Sequence, residues 1–332
     1  MRLRILAVPL LLAAMVVHGA AQLPTSATSA TWAVQAAAQY STTANMLYRT
    51  ASNQQLKMDV YYRRNVTGPQ PTLVYMHGGF WVAGTKETAL TALLPWMEMG
   101  WNVVNVEYRL GTDSDPTTLA PAAVDDCFCA LRFIAALPAN YNVDKNRIVV
   151  TGESAGGHLA LSMGIIPESA GIGKDCAGAA PIPAAGGRGG APAVAPASAS
   201  ATALPPVPKV AAIINWFGIT DVPDVIDGAN KQAAAARWFG SMPNAMEVAK
   251  KVSPLTYVRA GLPPVITVHG DADRTVPYPE AVRLHEALAK VNVPNQLVTV
   301  PGGGHGGFSA EERVRVYGLI KEFLTKNGVL TN

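Results

Sequence analysis

Residues 147–165 read RIVVTGESAGGHLALSMGI, and few chain geometries accommodate them. The run of β-branched apolar residues predicts a buried strand, and the stretch from the serine onward predicts a helix. Only Gly152-Glu153-Ser154-Ala155-Gly156-Gly157 can turn the chain between them. So sharp a reversal strains the backbone at Ser154 and demands the small residues found at 152, 155 and 156. It also lifts the serine hydroxyl clear at the strand's end, beside the positive end of the helix dipole. This is the Gly-x-Ser-x-Gly pattern in the strand–turn–helix setting that a nucleophilic serine needs.

The rest of the chain repeats the alternation. PTLVYM, WNVVNVEYRL, VAAIINWFG, PPVITVHG and NQLVTVPG read as strands. ETALTALLPWMEMG, LAPAAVDDCFCALRFIAAL, AVRLHEALAKV and residues 309–325 read as helices, the second with a proline near its start. Strands alternating with helices predict an α/β fold, a mostly parallel central sheet flanked by helices. Two further strands precede it, NMLYRT and LKMDVYYRR, where Leu56, Met58, Val60 and Tyr62 alternate with other residues. The expected organisation is a signal peptide over 1–21, a loosely ordered lead-in over 22–43, and one catalytic domain over 44–328. Residues 177–208, almost wholly Ala, Pro, Gly and Ser, have no periodic apolar face and read as a flexible insert. Residues 217–262 form an excursion between core strands and are the candidate for a small partial lid.

The leader assignment rests on Arg2 and Arg4, an apolar stretch from Ile5 to Val17, and small residues Gly19-Ala20-Ala21 before the expected cut. It implies an exported protein, periplasmic or secreted, with no stable membrane anchor after cleavage. Three cysteines, Cys127, Cys129 and Cys176, then allow one disulfide, from Cys176 to either Cys127 or Cys129, or none. Their spacing is not that of a zinc site. A net charge of +3 without a basic run argues against a nucleic-acid partner. Oligomeric state is left open.

A serine hydroxyl needs a base. Of the six histidines, His18 falls in the leader and His77 belongs to another motif. His158 reads as locally packed, His269 as structural and His285 as solvated helix surface. His305, in a run of glycines after the last strand, is left as the base. The carboxylate that orients it is sought between serine and histidine in the order of this fold. Asp271 and Asp273 compete there. His77-Gly78-Gly79-Phe80-Trp81 ends an earlier strand, and acyl transfer needs preorganised N–H donors. The expected oxyanion hole comprises Gly78, Gly79, Phe80 and Ala155. Trp81, Trp216, Phe217 and Trp238 are candidate walls of an apolar substrate pocket. No metal or organic cofactor is required.

Together these motifs resemble the α/β-hydrolase superfamily, specifically the hormone-sensitive-lipase-like carboxylesterases with an HGGxW loop. The resemblance runs from about residue 45 to 327, without the Ala/Pro-rich insert. YMHGGFW is similar to the family's oxyanion motif, GESAGGHLAL to its nucleophile motif and GGGHGGF to its histidine loop. HGDADRTVPY resembles the segment that carries the acid, and the match places it on Asp273. The resemblance further implies structural roles for Tyr108 and Arg109, and a helix aspartate, Asp126, that supports the oxyanion loop. Ser253-Pro254 also looks familial. Phe80 stands where many lipase-like relatives have a third glycine. That points to the branch with small carboxylesterases, feruloyl and acetyl esterases and kynurenine formamidase. The implied activity is hydrolysis of small to medium carboxylic esters through an acyl-enzyme on Ser154. The alternatives are a serine amidase of the arylformamidase or peptidase kind and a non-catalytic binding protein of the same fold.

Overall fold

The computed structural model describes residues 26–112, 114–174, 176–180, 182 and 204–330. The expected signal peptide and most of the Ala/Pro-rich insert lie outside them. Ser26–Gln39 forms helix α1, and the first strand starts at Tyr40, so the lead-in expected over 22–43 carries regular structure from residue 26. None of the described helices is long and apolar enough to cross a membrane.

An eight-stranded sheet organises the remainder in the order β1-β2-β4-β3-β5-β6-β7-β8. Strands β1 (Tyr40–Ala51) and β2 (Gln54–Arg63) form an antiparallel hairpin. Its two-residue turn places Ser52 and Asn53 at φ 50° and 55°, the left-handed pair that matches the twist of the flanking strands. β2 also pairs antiparallel with β4 (Asn102–Val106). From there the sheet is parallel through β3 (Gln70–Met76), β5 (Val143–Glu153), β6 (Val210–Trp216), β7 (Val265–Gly270) and β8 (Asn295–Val300).

Side-chain alternation divides the interior in two. Leu73, Val103, Val149, Ile214 and Ile266 point to one face and pack with α2 (Leu90–Glu98) and α9 (Ala310–Lys326). Val74, Val104, Val150, Ile213 and Val265 point to the other. There they meet α3 (Ala122–Ala136), α4 (Ala155–Ile165) and α8 (Pro279–Lys290). Covering both faces explains why the parallel strands are nearly continuous apolar runs. This is the α/β-hydrolase fold. The excursion after β6 holds three short helices, α5 (Val222–Asp227), α6 (Ala233–Phe239) and α7 (Ala245–Lys251). Its Trp238 and Phe239 are buried in the core beside α3 and α4.

The disulfide pairs Cys129 with Cys176, and Cys127 on the same helix stays reduced and buried. The first residues of the Ala/Pro-rich segment dock on the free edge of β1. Thr50 N–H donates to Gly178 O (2.7 Å) and Ala180 N–H to Tyr48 O (2.8 Å). This contact covers part of an edge that would otherwise present unpaired backbone groups. His285 departs from the solvated position expected of it. It is buried, and its Nδ1 lies 2.9 Å from Asn295 Oδ1.

Asp126 is the most heavily bonded buried carboxylate in this part of the molecule. Its Oδ2 accepts from Arg109 N–H (2.9 Å) and Nε–H (2.8 Å), and its Oδ1 from Arg109 Nη2 (2.9 Å) and Arg49 Nη1 (2.7 Å). Removing it strands two guanidinium groups away from water, which typically costs about 3–5 kcal/mol. Asp126→Ala is therefore expected to lose stability on that scale in equilibrium urea unfolding. A loss below about 1 kcal/mol, the range of a surface pair, would contradict this role.

Candidate active site

The turn from β5 into α4 places Ser154 at φ 56° and ψ −119°. Gly152 and Gly156 make the turn possible. A Cβ on Gly152 would sit 2.4 Å from the Gly156 carbonyl, and one on Gly156 would sit 2.1 Å from Met76 O. The amide of Ser154 donates to Trp216 O (2.9 Å), which ties the turn to the end of β6.

His305 reaches this serine from the loop after β8. Its Nε2 lies 2.9 Å from Ser154 Oγ, across 151 residues of sequence, and its Nδ1 lies 2.8 Å from Asp273 Oδ2. A carboxylate can only accept, so the ring proton sits on Nδ1 and Nε2 is free to take the serine's proton. Asp273 is held in turn by the amides of Thr275 (2.8 Å) and Val276 (3.0 Å), both donating to Oδ1. His269 Nε2 lies 3.2 Å from Oδ2 and also meets Val276 O at 2.8 Å. Burial alone would raise the Asp273 carboxyl pKa. Hydrogen bonds from His269 and His305, together with the charge on His305, outweigh that and hold it well below the usual carboxylate range. Asp271 is exposed and accepts from Gly302 N–H (2.6 Å), away from the imidazole.

The loop expected to supply the oxyanion hole adopts an unusual backbone. Gly79, Phe80 and Trp81 have φ values of 120°, 51° and 61°. Among the described residues, no hydrogen bond engages the amides of Gly79 and Phe80, and Ala155 is the first residue of α4, whose N–H has no partner within the helix. All three are therefore available to an incoming oxygen. The loop is clamped from below. Tyr108 stacks on His77 and donates its hydroxyl to His77 O (2.8 Å). Gly111 N–H donates to Trp81 O (2.8 Å). Asp126 thus acts on the loop only at second hand, by fixing Arg109 next to Tyr108.

A cavity of about 340 Å³ opens over Ser154 and His305. Gly78, Gly79, Phe80 and Phe217 line it, together with Glu153, Gly306, Gly307 and Arg313. Of the four aromatic residues expected as pocket walls, Phe217 takes that place, with its ring edge-on to His305 at 4.8 Å. Trp81, Trp216 and Trp238 are buried behind the cavity instead. Trp81 stacks on Trp238 at 4.1 Å and donates Nε1–H to His158 Nδ1 (3.0 Å), while Trp216 packs against Tyr317. Trp238 belongs to the excursion after β6, so that segment props the oxyanion loop from behind and gives only Phe217 to the cavity. Glu153 and Arg313 escaped the sequence reading. Glu153 is inside the nucleophile motif at its variable position, and Arg313 lies in a charged first turn of α9 that reads as solvated helix surface.

These elements define a class, the α/β-hydrolases with a Ser-His-Asp array. Comparison with known proteins narrows it. Residues 58–288 match the BD-FAE family model, and the chain belongs to that family. It is 26% identical to esterase LipC of Mycobacterium tuberculosis over 261 residues, 75% of this chain and 56% of that protein. It is 25% identical to the probable carboxylic ester hydrolase LipM of the same organism, over 71% of this chain and 49% of that one. The chain thus spans about half the length of these curated relatives. Among solved structures, esterase 2 of Thermogutta terrifontis superposes with a TM-score of 0.65 at 24% identity, covering 87% of this chain and 94% of that one.

His158 is the hinge of the clamp under Trp81. Its Nε2 lies 2.7 Å from Val252 O, so Nε2 carries the proton and Nδ1 is left to accept from Trp81. Burial drives its pKa down from 6.5 to about 4, partly offset by the bond to Val252. The unfolded chain therefore takes up this proton first as pH falls. Stability that is fully present above pH 6.5 drains away toward pH 4, by about 3 kcal/mol at most. His158→Phe keeps the ring volume but removes both bonds. It is expected to lower kcat by about tenfold or more, with KM little changed, through a misplaced oxyanion loop. The variant should also show a flatter fall of Tm between pH 6.5 and 4 than the parent. An unchanged pH slope would show that this histidine does not carry the acid sensitivity.

Proposed function

We propose that this protein is a serine carboxylesterase that hydrolyses small to medium carboxylic esters. The observation that carries the reading is the unbroken chain from Asp273 through His305 to Ser154, beside three unengaged amides at Gly79, Phe80 and Ala155. Ester carbonyl carbon sits over Ser154 Oγ, and His305 Nε2 takes the hydroxyl proton as the C–O bond forms. The carbonyl oxygen becomes anionic in reach of the three amides. One such donor is worth about 3–4 kcal/mol of barrier, because it meets charge that develops only in the transition state. His305 then delivers its proton to the departing alcohol, and the acyl group stays on Ser154. Water repeats the sequence, with His305 again as base, and releases the acid. Asp273 stays ionised throughout and stabilises the imidazolium. Apart from ester and water, every step uses groups of this chain.

Relatives named as esterases support the same reading. Export is part of the proposal. It is supported by the leader-like first 21 residues and by a disulfide of the kind that persists in oxidising compartments. Sequencing the N-terminus of the protein recovered from outside the cytoplasm should give Gln22 as the first residue, and an intact Met1 would overturn it.

Assays of p-nitrophenyl esters of increasing acyl length, with N-formylkynurenine as an amide control, test the chemistry. Ser154→Ala and His305→Ala should each lower kcat by about a millionfold, and Asp273→Asn by about ten-thousandfold. A folded wild-type protein that cleaves the amide but no ester would transfer the assignment to amide hydrolysis.

A further inference from the structure

We infer that the catalytic cavity continues past Glu153 and Arg313 into a second substrate subsite, which holds the remote apolar arm of the ester. The inference rests on the esterase reading and adds the class of substrate to it. The second cavity measures about 460 Å³, larger than the one over the serine, and the two share Glu153 and Arg313 as common walls. It lies between the start of α2 and the first turns of α9. Its lining is mostly apolar, with Tyr75 and Tyr317 together with Ala89, Ala92, Pro95 and Val314.

Two exposed apolar residues mark its mouth. Val314, in the lining, is 74% exposed, and Leu90, between the lining residues Ala89 and Thr91, is 49% exposed. Few large apolar side chains of the described chain are left so open, and this pair gains from burial only if something apolar covers it. The wall between the cavities is polar. The Arg313 side chain makes no ion pair among the described residues, and its one hydrogen bond there is a long one, Nε–H to Phe308 O at 3.4 Å. Arg313 lines both cavities, so its remaining donors are within reach of a substrate that spans them. Burial raises the pKa of the Glu153 carboxyl, against the charges of Arg313 and His305. The site therefore fits an ester with a chain-like or ring-bearing apolar arm that carries a hydrogen-bond acceptor level with Arg313. A short acetyl ester fills the first cavity alone.

Filling the second cavity tests this. Thr91 lies in its lining and is exposed on α2, so Thr91→Trp blocks the space without disturbing the core. In isothermal titration of the Ser154→Ala protein, p-nitrophenyl octanoate should bind more tightly than the acetate. Adding Thr91→Trp should weaken the octanoate by about tenfold and leave the acetate within about twofold. Val314→Trp, at an exposed position, should do the same. Turnover by the Ser154-bearing protein should show the loss in KM for long arms. Arg313→Gln should raise KM for arms that bear a carbonyl more than for plain alkyl arms. Equal effects on acetate and octanoate, or no effect of either tryptophan on the octanoate, would overturn the subsite. Because titration needs no turnover, an inactive wild type would count against the esterase assignment alone.

Discussion

A serine held at φ 56° is an unfavourable conformation for any residue with a Cβ, and much of this molecule is arranged so that one serine can keep it. The strain is tolerated because the surroundings leave no alternative. Gly152 and Gly156 pass so close to each other and to Met76 that no side chain fits, which locks β5, α4 and β3 into one rigid junction. The Ser154 amide then fastens this junction to β6. Binding at that point does not have to create the geometry of the nucleophile, because folding has already done so.

The same economy extends to the loop after β3, the proposed oxyanion loop, where three consecutive residues take positive φ. Free amides are useful only if the loop cannot relax and satisfy them itself. Two supports prevent this. The Tyr108–His77 stack, backed by Arg109 and Asp126, holds the entry of the loop. The Trp81–Trp238 stack, backed by His158, holds its exit. Both supports come from elements distant in sequence, so the electrostatic preorganisation over Ser154 is a property of the whole α3–α4 side of the molecule.

Much of this was legible in the sequence, and the unread parts share a cause. The nucleophile turn and the histidine loop are local patterns whose chemistry demands particular residues at particular steps, whereas the choice of Asp273 over Asp271 came from the family resemblance. The alternating strands and helices followed from apolar periodicity. Trp81, Trp216 and Trp238 were misplaced because a large aromatic residue suits a pocket wall and a core equally well, and only packing decides. His285 was misread because a histidine on a helix reads as solvated surface, and only the approach of β8 with Asn295 buries it. Arg313 was invisible because one arginine in a charged helical turn looks like any other. The disulfide stayed open, to either of two cysteines two residues apart or to none, since only the fold brings Cys176 to Cys129.

The sheet order has a consequence for when the molecule becomes competent. The β1–β2 hairpin can form as soon as it exists, but β3 is enclosed by β4 and β5, which are both made later. Ser154 stands at the centre, whereas Asp273 and His305 arrive with the last two strands, β7 and β8. A chain interrupted before residue 305 therefore lacks the imidazole that meets Ser154 Oγ. On the esterase reading, the chain is chemically silent until that strand is in place. On that reading, completion of the sheet is itself the step that assembles the site.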